Sequence, residues 1–338
     1  MVGRLMKMIR DSIHRRFSLH VAALAVIALA ASISGCMAPA GSRGTIDRTL
    51  KVDGPVHLDI TNGSGNTIVT SGQPGEVRIH AEFKLRSWSE HGARQRTAEL
   101  EANPPFMQEG NFIRVGASGM HAHNLTIHYT ISAPPDTQVR ATAGSGYIDV
   151  SGIAGPVGIT AGSGKIAVAN VSGAVQLTTG SGDVQVASVQ GQVQATAGSG
   201  DIHLANTRGE VRLLAGSGAI QLANTSGNTV ASTGSGAINV AGAQSDLRLR
   251  TASGQIQVAG DPQASTYWDL HASSGNVSLH VSPNASLRFY AKTNSGEINA
   301  AIPVVLEGTA GKHALRARIG DGKARVEVET TSGNVALR

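Results

Sequence analysis

The stretch GSGYIDVSGIAGPVGITAGSGKIAVANVSGAVQLTTGSGDVQV, residues 144–186, decides the fold. Its Ser-Gly pair returns every 18 residues, and the beat continues to give Gly146, Gly164, Gly182, Gly200, Gly218, Gly236 and Gly254. The segments that follow each pair, YIDV, KIAV, DVQV, DIHL, AIQL, AINV and QIQV, alternate polar with aliphatic residues. That alternation reads as a short strand with one buried face. A second glycine stands halfway through most periods, at Gly155, Gly173, Gly191, Gly209 and Gly227, before runs such as PVGI, AVQL and EVRL. One period is therefore two strands and two tight turns. A unit this small cannot bury a face alone and must stack, so the chain is expected to be all-β, a parallel β-solenoid with 18-residue two-strand coils. The general preference of parallel crossovers makes the right-handed form the expected one.

Two ladders follow from the period. Ile148, Ile166, Val184, Ile202, Ile220, Ile238 and Ile256, with Val150 to Val258 two places on, are expected to point inward from one sheet. Val157, Val175, Val193 and Val211, then Ile159, Leu177, Ala195 and Leu213, face them from a second sheet at roughly 10 Å. Positive φ at the corners is the expected reason for the turn glycines. Asn206 and Asn224, one coil apart, and Asn170 two coils before Asn206, predict a ladder of side-chain amides.

The amino-terminal segment, residues 1–35, carries Arg4, Lys7, Arg10, Arg15 and Arg16, then the apolar run VAALAVIALAASI, then small residues before the chain's one cysteine, Cys36. This is the layout of a secretory signal. The run is short for a permanent span of about 20 residues. The tetrad Ile33-Ser34-Gly35-Cys36 resembles a bacterial lipobox, which implies acylation of Cys36 and a membrane-lipid partner. One cysteine permits no intramolecular disulfide. Without residues 1–35 the chain holds 23 basic and 22 acidic residues, so the basic balance belongs to the signal. That leaves no basic surface for nucleic acid.

Residues 36–48 read as a lipidated cysteine and flexible spacer. Residues 49–140 read as an N-terminal β cap: LKVDGPVHLDITNGSGNTIV, VRIHAEFKL, NFIRV and LTIHYTISAPPD are strand patterns, while Ser87 to Asn103 predicts one short helix ended by Pro104-Pro105. Residues 141–338 form the repeat domain. After Gly254 the spacing widens to give Gly275, Gly296 and Gly333, and the aromatics Tyr267, Trp268, Phe289 and Tyr290 gather in the enlarged coils. The pattern stops at Arg338 with no evident cap, so Ala336 and Leu337 are expected to offer an edge for self-association.

Calcium β-rolls need an aspartate in each turn, and Asp149 is followed by Ala167 and Gln185, so that ligand set is missing. Asp183 and Asp201 stand one coil apart, at about 4.8 Å between strands, a spacing relevant to glycoside hydrolysis. With Lys165 and His203 beside them, a solvated charge ladder is the plainer reading. His121, His123 and His128 share one segment but lack a third ligand placed by spacing, so no metal and no cofactor are expected. Tyr267 and Trp268 are the candidates for contact with a sugar or protein, against the alternative that they pack over the core.

The exported start, the segment YTISAPPDTQVRATAGSGYIDV and the iterated GSG-x-I-x-V coils together resemble the DUF4097 family of bacterial β-strand-repeat proteins, described as candidate adhesins. A more distant resemblance is to the head domains of autotransporter adhesins. These resemblances imply a solenoid in the cell envelope and bring no catalytic residues. The expected function is that of a non-enzymatic, lipid-anchored adhesin or surface scaffold, outer-membrane bound and facing periplasm or cell surface. Its contacts would be many and individually weak, with surface polysaccharide or protein as partner. The alternatives are a periplasmic accessory or sensor protein and a carbohydrate-active β-helix enzyme.

Overall fold

A computed structural model describes residues 40–87, 89–116, 124–308 and 310–338. The cap contains β1 (Ala40–Lys51), β2 (His57–Ser64), β3 (Thr67–Ser71), β4 (Glu76–Ser87), the helix α1 (Glu90–Ala102), β5 (Phe106–Glu109), β6 (Phe112–Val115) and β7 (Leu125–Ala133). The coils follow as β8 (Gln138–Ser145), β9 (Ile148–Ser151), β10 (Val157–Ala161), β11 (Ile166–Val171), β12 (Val175–Thr179), β13 (Val184–Val189), β14 (Val193–Ala197) and β15 (Ile202–Thr207). They continue through β16 (Val211–Ala215), β17 (Ile220–Thr225), β18 (Thr229–Thr233), β19 (Ile238–Ala241), β20 (Leu247–Thr251), β21 (Ile256–Ala259), β22 (Tyr267–Ala272) and β23 (Val277–His280). Last come β24 (Leu287–Thr293), β25 (Ile298–Ala300), β26 (Val305–Leu306), β27 (Ala314–Ile319), β28 (Ala324–Thr330) and β29 (Val335–Leu337).

From β8 to β23 the even-numbered strands build one parallel sheet and the odd-numbered strands the other. The register advances by one period per coil, Ile166 opposite Val184 and Val184 opposite Ile202 in one sheet, Val157 opposite Val175 and Val175 opposite Val193 in the other. Both expected ladders are buried, so the chain is a two-sheet β-solenoid with a continuous aliphatic core. An in-register parallel stack places like on like, which is why the sequence must repeat.

Most of the turn glycines serve a different purpose from the expected one. Gly146 and Gly209 have φ 121° and 133°, but the other glycines of the Ser-Gly pairs, Gly164, Gly182, Gly200, Gly218, Gly236 and Gly254, are outside the left-handed region. Their constraint is the coil below: a Cβ on Gly164 would lie 1.7 Å from the Gly146 carbonyl oxygen. The left-handed positions instead recur at Gly152, Asn170, Ser188, Asn206, Asn224, Gly242 and Gly260, inside or just after the odd-numbered strands. Asparagine tolerates that conformation better than most residues. One rung of the expected amide ladder forms there, with Asn224 Nδ2 donating to Asn206 Oδ1 at 3.0 Å, while Ser188 separates Asn170 from Asn206.

A buried threonine supports many of the corners. Thr251 Oγ1 accepts from Gly254 N at 3.0 Å and donates to Gly236 O in the preceding coil at 3.2 Å, and Thr233 and Thr293 repeat the arrangement. Backbone groups at a buried corner need such partners.

At the amino-terminal end the expected spacer differs. From Ala40 the chain is strand, with β1 pairing antiparallel to β4 from Ala40 opposite Ser87 to Lys51 opposite Glu76. Its small and polar composition hid it, because backbone pairing rather than a buried face holds most of it. Among the described side chains of β1, Ile46 is the one that is buried. Helix α1 begins where Ser89 caps Gly92 N and lies against β1 and β4.

At the other end the coil order departs from chain order. The sheets run β22–β28–β24–β27–β26 and β23–β29–β25. The last coil in the chain is thus threaded between two earlier ones, and β27 runs antiparallel to β24. Leu337 is fully buried between β23 and β25, so Ala336 and Leu337 are not an edge; β25 is.

Candidate functional site: the outer faces of the solenoid

Alternate residues of a strand face opposite sides, so each odd-numbered coil strand sends two residues outward. One row runs Ala167, Gln185, His203, Gln221, Asn239 and Gln257, and the next runs Ala169, Ala187, Ala205, Ala223, Ala241 and Ala259. Together they line a trough of about 730 Å³ that ends at His280. The alanines leave its floor low. No lysine, arginine, aspartate or glutamate lines it. Amides both donate and accept hydrogen bonds, and here one polar side chain stands at nearly every coil, about 4.8 Å from the next. The trough suits a neutral, extended, polar partner laid along the stack. The signal was readable as alanine at a fixed place in the period.

Asp183 and Asp201 are engaged elsewhere. Asp183 Oδ1 accepts from Asp201 N at 3.1 Å, and Asp201 Oδ1 accepts from Ala219 N at 2.8 Å. Asn66, Asn276 and Asn334 make the same kind of bond to Tyr147 N, Asn334 N and Glu297 N. These side chains hold one coil to the next.

The two aromatics expected to meet a partner are separated by the pleat. Trp268 is 0% exposed and its Nε1 donates to Ser245 O at 3.0 Å, so it belongs to the core. Tyr267 is half-buried on the outer face of the other sheet. Its hydroxyl donates to the Glu327 carboxylate, and the Arg325 guanidinium lies over its ring, 5.5 Å from the centroid. The bond to Glu327, with burial second, pushes the phenol up to about 12, and the same bond holds the Glu327 carboxyl below its usual range. Close by, Arg316 covers Tyr290 at 5.0 Å, and Arg248 and Arg250 share Asp269 at 3.4 and 3.0 Å. Charge thus collects at this end of the rod, and both tyrosine rings are already covered by arginine.

His128 Nδ1 accepts from Asn66 N at 3.2 Å. His121, His123 and Cys36 lie outside the described residues. Among the described residues no group of three or more His, Cys, Asp and Glu side chains is placed to hold a metal, and no helix is long and apolar enough to cross a membrane.

A family model described as Toastrack DUF4097 matches residues 136–225 and again 209–338, together more than half of the chain. The chain belongs to the DUF4097 (Toastrack) family. Two solved structures are similar to this Toastrack protein. One, described as a putative cell adhesion protein from Clostridium sporogenes, is 10% identical, with 88% of this chain and 99% of that chain covered at a TM-score of 0.23. The other, described as a putative adhesin from Bacteroides fragilis, is 14% identical, with 88% and 98% covered at a TM-score of 0.38. At those TM-scores neither bears on what the Toastrack rod binds. No curated protein matches the sequence.

Proposed function

We propose that this Toastrack protein is a non-enzymatic, lipid-anchored scaffold of the bacterial envelope that adheres through many weak contacts along one face. The observation that carries the reading is the trough without lysine, arginine, aspartate or glutamate, which repeats an alanine beside a polar side chain over five coils, Gln185 to Gln257. Single amide contacts exposed to water are worth little, so such a face gains hold only by repetition and clustering. The partner that fits is a neutral surface polysaccharide or an uncharged extended protein segment. The reading of Cys36 as an acylated residue, following Ile33-Ser34-Gly35, supplies the tether. The carboxylate pair weighed for glycoside hydrolysis, Asp183 and Asp201, is engaged in holding the backbone of the next coil.

Protease shaving of intact cells, with a periplasmic marker as control, tests the location. Digestion of the rod with the marker intact supports adhesion. Protection until the outer membrane is opened overturns surface adhesion and leaves an accessory role in the periplasm. Cys36→Ser should move the protein from membrane to soluble fraction, and unchanged membrane retention would exclude the tether.

A further inference from the structure

The carboxy-terminal coils stack in the order Gly254, Gly275, Gly333, Gly296: a Cβ on Gly275 would lie 1.7 Å from Gly254 O, on Gly333 2.1 Å from Gly275 O, and on Gly296 1.9 Å from Gly333 O. The segment 324–338 therefore fills a slot whose two walls come earlier in the chain. β28 pairs with β22 on one side and β24 on the other, and β29 with β23 and β25. Among the described residues its link to those walls is the crossing 320–323, which passes the start of β24. Gly320 and Gly322 take φ 55° and 67° there, and a Cβ on Gly320 would lie 2.8 Å from Ala285 O. This crossing is short and tight.

The slot's occupant is known, since it is this segment itself. Its place is set by Thr330 Oγ1 to Gly275 O at 3.0 Å, Asn334 N to Asn276 Oδ1 at 2.9 Å, Thr293 Oγ1 to Gly333 O at 2.9 Å, and the Tyr267 hydroxyl on Glu327. None of these contacts depends on the segment belonging to the same chain as the walls. We propose that β28 and β29 exchange between two copies of this chain, each inserting into the other's slot to make a reciprocal dimer. Exchange keeps every contact of the slot and changes only the crossing, which a tight connection favours opening and high local concentration drives. The earlier coils between β8 and β23 are continuous with a coil on each side and cannot be exchanged by opening one connection.

The test uses the chain with Cys36→Ser, so that introduced thiols stand alone. Ser278 and Ala336 lie opposite one another on β23 and β29 and are both half-exposed. Full-length S278C and A336C variants are mixed, unfolded and refolded together at high concentration, then oxidised and sized. The proposal expects a covalent dimer in the mixture and in neither variant alone, with a several-fold smaller yield when four residues inserted after Asp321 relax the crossing. A mixture that stays monomeric by mass overturns it. So does a dimer that cross-links equally in S278C alone.

Discussion

The carbonyl oxygen of Gly182 occupies the place that a Cβ on Gly200 would need, 1.9 Å from it. Gly158, by contrast, has nothing within 4 Å of its Cβ position. Gly200→Ala is expected to lower stability by about 1–3 kcal/mol, because two backbones must move apart. Gly158→Ala is expected to be neutral or to stabilise by about 0.4–1 kcal/mol. Denaturant melts of the two variants check this, and equal losses would mean that the corner glycines are not there for close approach.

Trp268→Ala should cost about 3–5 kcal/mol, from a vacated core site, and should strand the Ser245 carbonyl. Binding per folded molecule should not change. A thermal melt beside a binding assay separates the two effects, and lost binding without a lower melting temperature would return Trp268 to the surface.

Asn224 holds φ 54° and bonds Asn206. Asn224→Val places a β-branched residue in the left-handed region, at a cost of about 1–2 kcal/mol. Asn224→Gly keeps the conformation and loses only the amide bond, so its loss should be smaller. A reversed order of melting temperatures would contradict the assigned role.

His80 on β4 pairs with Asp47 on β1 at 2.7 Å, and that bond raises its pKa above 6.5. A folded-state pKa above the unfolded one stabilises fully below the unfolded value and is lost as pH rises through the folded one. Amide exchange in β1 should therefore quicken as pH climbs from about 6.5 through the raised value, beyond the ordinary base-catalysed rise measured on Asp47→Asn. No difference between the two proteins would remove the pair from the account.

The coil length, both buried ladders and one rung of the amide ladder were legible because an in-register parallel stack writes the same chemistry at the same place in each period. The purpose of most turn glycines was not, since positive φ and close backbone approach both select the residue without a Cβ. β1 was hidden by its composition, because backbone pairs rather than an apolar face hold it. The order of the last coils was invisible for a further reason. Gly275, Gly296 and Gly333 head similar coils, and their spacing carries no record of which lies beside which. Of the candidate contact residues, Tyr267 and Trp268 were found together but face opposite ways. The trough went unread because alanine draws no attention in an apolar count.

The most direct test of adhesion by repetition is binding of the rod, displayed on beads at graded density, to immobilised neutral polysaccharides and to intact cells. The account predicts binding that rises steeply with density, collapses in an Ala205→Arg, Ala223→Arg variant whose side chains fill the trough, and persists in Tyr267→Phe. Binding that is independent of density, or untouched by the two arginines, would contradict it.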